Sequence, residues 1–212
     1  MLGRFRHIVV EGPIGVGKTS LARKLAQLTH AELVLENADE NPFLSRFYED
    51  HRRYALPTQL FFLVSRVDQA RRHAQGELFS SASVADFMLE KDMLFARMTL
   101  DEAEFNLYRQ LYDGLNPRAN APDLVIYLQA DANTLSERVS KRGRMAERHM
   151  SESYLKDLSR AYADFFYHYD AAPLLTVNSE RLNFVDKPDD FNLLVQRIQG
   201  MRGMREFFNV GA

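Results

Sequence analysis

Cysteine is missing from this 212-residue chain, which excludes disulfides and thiolate metal sites. The six histidines are scattered without the spacing of a metal centre. No apolar run approaches the ~18–20 residues of a membrane span. An excess of one charge is missing too. The 27 Lys and Arg oppose 29 Asp and Glu, and the net charge of −2 gives no overall drive towards a nucleic acid polymer or an acidic membrane. The opening MLGRFRHIVV runs straight into an apolar stretch and does not read as a secretory leader, so a cytoplasmic protein is expected. There are no repeats and no long linker. The length suits one α/β domain over residues 1–212 rather than two.

What is present starts with EGPIGVGKTS, residues 11–20. Gly12 to Thr19 match G-x-x-x-x-G-K-[ST] at every fixed position. A chain of phosphates is well held by backbone N–H groups at a helix start, where the helix dipole adds to the attraction. Gly12, Gly15 and Gly17 let the backbone curl around the phosphates. Lys18 is placed to reach the outer phosphates. The Thr19 hydroxyl, with Ser20 beside it, is placed to face Mg²⁺. The flanks agree: FRHIVV before the loop is a strand, and TSLARKLAQLT after it has helical spacing.

The remaining strand candidates are 32–36, 82–85, 123–129 and 174–177, after a first at 5–10. Helical patterns lie between them, which predicts a parallel sheet with helices on both faces. Pro57 is expected to open a helix. Thr99 and Glu102 have capping-box spacing, and Gly114 with Pro117 should stop that helix. SKRGRMAERHM reads as a mobile flap. MREFF, near the C-terminus, either caps the fold or touches a second subunit.

In an open parallel sheet, ligands sit beyond the carboxyl ends of the strands. Glu36 should end the second strand there and Asp86 the third. A hydroxyl acceptor gains from a carboxylate that takes or orients its proton, whereas a phosphate acceptor needs positive charge instead. Glu36 therefore favours a neutral hydroxyl, although a strand-end Glu can be merely solvated. Asp86 could hold Mg²⁺ through water or simply initiate a helix. Gln59 and Arg66 are two helical turns apart, with Phe62 and Leu63 between them. That pattern suits a flat, partly polar ring and equally an ordinary core helix with polar ends. Arg138, Arg142 and Arg144 could clamp a transferring phosphoryl group or form a solvated helix end.

Together these residues resemble the deoxyribonucleoside kinase family, from about residue 5 to about 178, in what looks like a bacterial branch. The resemblance implies a P-loop fold of the nucleoside monophosphate kinase type, with a five-stranded parallel sheet and an arginine flap. It implies ATP and Mg²⁺, a deoxynucleoside substrate and a homodimer. LENADENPFL is similar to the family's second-strand motif, which implies that Glu36 activates the 5′-hydroxyl. By the same resemblance Tyr48 and Glu147 bind the sugar 3′-hydroxyl. Gln59 and Arg66 read the base with Asp92 as the arginine's partner, and RGRMAE supplies flap arginines for the triphosphate.

One position departs from the family. After the third strand it usually has an acid, then arginine and serine. Here the stretch is Asp86-Phe87-Met88. Lys91, four residues on, could return the missing charge if the segment is helical. The expected reaction is ATP-dependent phosphorylation of a deoxynucleoside 5′-hydroxyl, purines preferred. A thymidylate-like nucleoside monophosphate kinase, a nucleotide-dependent switch and a non-catalytic homologue are the alternatives.

Overall fold

The computed structural model describes residues 2–76, 82–115 and 121–210. Strands β1 (His7–Glu11), β2 (Glu32–Val34), β3 (Ser83–Ala85), β4 (Leu124–Gln129), β5 (Leu174–Asn178) and β6 (Arg205–Phe208) form one sheet. Their order is β2-β3-β1-β4-β5-β6, and all pairings are parallel. Parallel neighbours need crossovers, which helices supply. Helix α1 (Lys18–Thr29) follows β1; α2 (Leu44–Glu49) and α3 (His51–Gly76) follow β2; α4 (Lys91–Thr99) and α5 (Glu102–Leu115) follow β3. Next come α6 (Ala132–Arg142) and α7 (Glu152–His168) after β4, and α8 (Pro188–Gly200) after β5. None of the described helices is long and apolar enough to cross a membrane.

Strand β4 shows how the layers form. Leu124, Ile126 and Leu128 join the core shared with Leu21 and Leu25 of α1 and Ile198 of α8. Val125 and Tyr127 point the other way, into a core with Leu158, Tyr162 and Phe166 of α7. Burial on both faces explains why the strand reads as a continuous apolar run rather than an alternating one. Each such side chain contributes about 1.5–3 kcal/mol. A third core, with Phe47, Ala55, Leu63, Ala96 and Tyr108, knits α2 to α5 together.

Several local expectations are corrected. The sheet has six strands, not five, because REFF pairs with β5 at the sheet's edge instead of only capping the fold. Pro57 is inside α3. That helix starts six residues earlier, after Asp50, whose Oδ1 accepts from the Arg53 N–H at 3.2 Å. The capping box is Asp101–Glu104, with reciprocal bonds of 2.9 and 3.2 Å; Thr99 is the last residue of α4. Helix α5 runs through Gly114 to Leu115, and Pro117 lies outside the described residues. Strand β2 ends at Val34, so Glu36 stands two residues beyond it.

Strand β1 lies between β3 and β4, so the crossovers from β1 and β3 run to opposite sides and open a crevice at the carboxyl ends. The phosphate loop fills that crevice. Gly12 has φ 146°, and a Cβ there would come within 2.4 Å of the Leu128 carbonyl oxygen. Gly12→Ala is therefore expected to cost at least about 2 kcal/mol of stability and to abolish nucleotide binding. Urea unfolding and a nucleotide titration check both effects.

Candidate active site

The first side chains of α1 line a pocket of about 680 Å³, together with Glu36, Asp86, Gln59 and the flap arginines. Lys18 donates to the carbonyls of Gly12 at 2.6 Å and Pro13 at 3.1 Å. Burial lowers its pKa to about 8 against the opposing charge of Glu11. Thr19 Oγ1 donates to Asp86 Oδ2 at 2.5 Å, and Asp86 Oδ1 accepts from the Glu36 N–H at 2.8 Å. Asp86 does not start a helix, because α4 begins five residues later. It links the phosphate loop to the segment carrying Glu36.

Thr19 and Asp86 are the oxygen donors a metal would meet. Among the described residues no group of three or more His, Cys, Asp or Glu could hold one. Mg²⁺ typically keeps several waters and takes one or two carboxylates with substrate phosphates. A hydroxyl and a carboxylate beside a phosphate loop fit that need.

Glu36 is held by two cations. Arg66 Nε donates to its Oε1 at 2.7 Å and Lys91 Nζ to its Oε2 at 2.9 Å. Burial alone would raise the pKa of Glu36; the charges and hydrogen bonds of Arg66 and Lys91 overcome this and set it at about 2. Each cation also has a second carboxylate. Arg66 pairs with fully buried Asp92, and Lys91 lies 3.3 Å from Glu11. The segment at Phe87 is not helical, since α4 starts at Lys91. The two still meet, with the ammonium 5.8 Å from the ring centroid.

Gln59, Phe62 and Arg66 line the pocket, and the Arg66 guanidinium lies 4.9 Å from the Phe62 ring centroid. Leu63, expected on the same side, is turned into the helical core. Asp92 stands behind Arg66 rather than among the lining residues. Gln59 donates to Thr99 Oγ1 at 3.3 Å. Tyr48 packs against Phe47 and Tyr154, with centroids 5.3 and 6.0 Å away. Its pKa is pushed well up by burial and then by Tyr154 and Glu147, so it keeps its proton and can donate.

The flap folds as the end of α6, a left-handed Gly143 and a short 3₁₀ turn, Met145–Glu147. Arg142 Nε donates to Glu147 Oε2 at 3.2 Å, and Arg144 lies 3.6 Å from Asp39 across the pocket. Arg138 donates to the Ser179 carbonyl at 2.7 Å and weakly to that of Val16 at 3.4 Å. It thus braces the back of the phosphate loop while also lining the pocket.

Sequence reasoning missed Tyr154, Tyr162, Arg23 and Lys141 on the pocket wall, and above all Glu11. It reads as the last residue before the motif. The available signal was a carboxylate at the end of a central, buried strand, which demands a buried partner.

The model of the family described as deoxynucleoside kinase matches residues 8–201. A deoxyguanosine kinase from Bacillus subtilis is 31% identical over 197 residues, covering 91% of this chain and 95% of that protein. A deoxyadenosine kinase from Lactobacillus acidophilus is 33% identical over 193 residues, with 84% and 87% covered. Among solved structures, a deoxyadenosine kinase from M. mycoides with bound dATP superposes with a TM-score of 0.78 at 25% identity, covering 91% of this chain and 98% of that one.

The Arg66–Asp92 pair yields a stability test. Arg66→Met leaves fully buried Asp92 without its cation, which should cost about 3–5 kcal/mol. Adding Asp92→Ala should recover most of that loss. Urea unfolding of the two variants measures the difference, and equal losses would contradict the pairing.

Proposed function

The chain belongs to the deoxynucleoside kinase family, and we propose that it transfers the γ-phosphoryl group of ATP to the 5′-hydroxyl of a deoxynucleoside, giving the deoxynucleoside 5′-monophosphate and ADP. One observation carries this reading: Asp86 joins Thr19 of the phosphate loop to Glu36, so the donor loop meets a carboxylate suited to a hydroxyl. Lys18, with Arg142 and Arg144, holds the transferring phosphates. Thr19 and Asp86 would hold Mg²⁺, which would neutralise charge on the phosphates. Tyr48 and Glu147 take the 3′-hydroxyl. Gln59, Phe62 and Arg66, with Asp92 behind, receive the base.

Glu36, with a pKa of about 2, is a weak base, so its role is to orient. It accepts a hydrogen bond from the 5′-hydroxyl and aims a lone pair at phosphorus. As the new P–O bond forms and the bond to the ADP oxygen breaks, the alcohol oxygen becomes acidic. Its proton then passes to Glu36 and on to solvent. A late proton transfer suits a loose phosphoryl transition state, where positioning and charge do most of the work. Lys91, at the acceptor end, supplies positive charge as the phosphoryl group arrives.

A monophosphate acceptor fits less well. Its phosphate would stand beside the ionised Glu36 carboxylate, whose charge, with that of Glu11, already balances Lys91, so an acceptor that brings its own negative charge would be repelled. Purines are preferred because Arg66, held from behind by Asp92, can donate to their ring acceptors and Gln59 can both donate to and accept from their edge groups. The methyl group of thymine would meet the Arg66 guanidinium at a loss of about 1–3 kcal/mol. The names of the two bacterial relatives agree with a purine substrate. The protein works in the cytoplasm, where ATP and deoxynucleosides are both available. It acts as a homodimer of single-domain chains, a reading supported by Leu107 and Leu111, one turn apart on α5 and 47% and 41% exposed.

Incubation with Mg-ATP and each of the four deoxynucleosides or their monophosphates tests the assignment. Deoxyadenosine and deoxyguanosine should be phosphorylated most efficiently, deoxycytidine less and thymidine poorly. Thymidine ranking first would overturn the base assignment, and turnover of monophosphates alone would overturn the acceptor.

A second measurement concerns Glu36. Glu36→Gln should lower kcat by ~10² or more while the deoxynucleoside KM changes little. A collapse of affinity with kcat intact at saturation would make Glu36 a binding residue only.

A further inference from the structure

Glu11 has no part in the reaction as set out above, yet it is fully buried at the end of β1. A lone carboxylate there would be very costly, and its oxygens are all engaged. Oε2 accepts from the Gly12 N–H at 2.9 Å and the Tyr162 hydroxyl at 3.1 Å. Oε1 accepts from the Met88 N–H at 3.1 Å and lies 3.3 Å from Lys91 Nζ. The partners come from the phosphate loop, α7, the segment after β3 and the start of α4. Burial, and then the charge of Glu11, push the Tyr162 pKa well up, so that hydroxyl remains a donor.

We propose that Glu11 is a positioning residue, which fixes the Lys91 ammonium at the acceptor end of the site and ties it to the first amide of the phosphate loop. The proposal rests on the acceptor-side role given to Lys91 above. The two carboxylates around Lys91 are unequal. Glu36 is 19% exposed, lines the pocket and has the acceptor hydroxyl to hold. Glu11 is pinned by three neutral donors. A lysine is a compact charge on a flexible four-carbon stem. With Glu36 as its sole partner, it would follow each movement of that side chain. With Glu11 behind it, the ammonium stays in place when Glu36 turns to the hydroxyl. Buried Phe87 closes another side, with its ring under the ammonium. Because Glu11 also holds the Gly12 N–H, one group sets the position of the loop relative to the acceptor cation.

A double-mutant cycle tests this with Mg-ATP and deoxyadenosine. Lys91→Met should lower kcat by ~10² or more, and Glu11→Gln by ~10-fold or more, with the KM for ATP little changed. The double variant Glu11→Gln/Lys91→Met should fall within ~3-fold of Lys91→Met, because residues that act as a unit are not additive. Ethylammonium should restore turnover to Lys91→Ala but not to Glu11→Gln/Lys91→Ala. Losses that multiply in the double variant would overturn the proposal and leave Lys91 in its role. An unchanged kcat in Lys91→Met would overturn both. Should Lys91→Met fail to fold, Glu11→Gln decides alone, since there Lys91 keeps Glu36. A lower kcat at constant ATP KM supports the proposal; an unchanged kcat, or an ATP KM that rises as kcat falls, overturns it.

Discussion

The site depends on a row of charges that alternate in sign, all buried but the half-buried Glu36: Glu11, Lys91, Glu36, Arg66, Asp92. Ions taken out of water must be paired and hydrogen-bonded, and the cost of leaving one alone is large. That rule joins parts of the chain far apart in sequence. Glu11 closes β1, Lys91 and Asp92 open α4, Arg66 stands in the middle of α3, and Glu36 lies just beyond β2. Moving any one of these elements would strand a charge, so the row holds the acceptor side in register with the phosphate loop.

The same row sets the chemistry. Two cations on Glu36 keep it ionised well into acid, which in the proposed reaction suits an orienting group more than a proton sink. In the proposed reaction the charge needed around the phosphoryl group is divided between Lys18 and the flap on one side and Lys91 on the other. Buried pairs are individually poor contributors to stability, but they hold charges in fixed positions before the reaction begins. Fixed charge of this kind is what phosphoryl transfer rewards.

The phosphate loop, the first five strands and the resemblance of Glu36, Tyr48, Gln59, Arg66, Asp92 and Glu147 to family positions were all readable along the chain. They are local signals: fixed spacing, β-branched runs, helical periodicity. The errors were also local. Asp50 and Asp101 cap their helices better than Pro57 and Thr99 begin them, because an Asp side chain accepts the free N–H groups of a first turn. REFF was expected to cap the fold or touch a second subunit, and two of its four side chains are exposed. Its pairing with β5 makes it a strand.

The sequence by itself determined that a phosphate-binding loop joins a strand to a helix, and that the chain belongs among α/β proteins with a parallel sheet. Both follow from residue types at fixed short spacings, where backbone geometry alone dictates the outcome. Tertiary structure decided what stands around that loop. It placed Lys91 between Glu11 and Glu36, put Asp92 behind Arg66, turned Leu63 away and brought Asp86 to Thr19. These relations join residues separated by up to 80 positions, and no periodicity encodes them. They arise because buried charges seek partners wherever the packing of helices on a sheet brings those partners within reach.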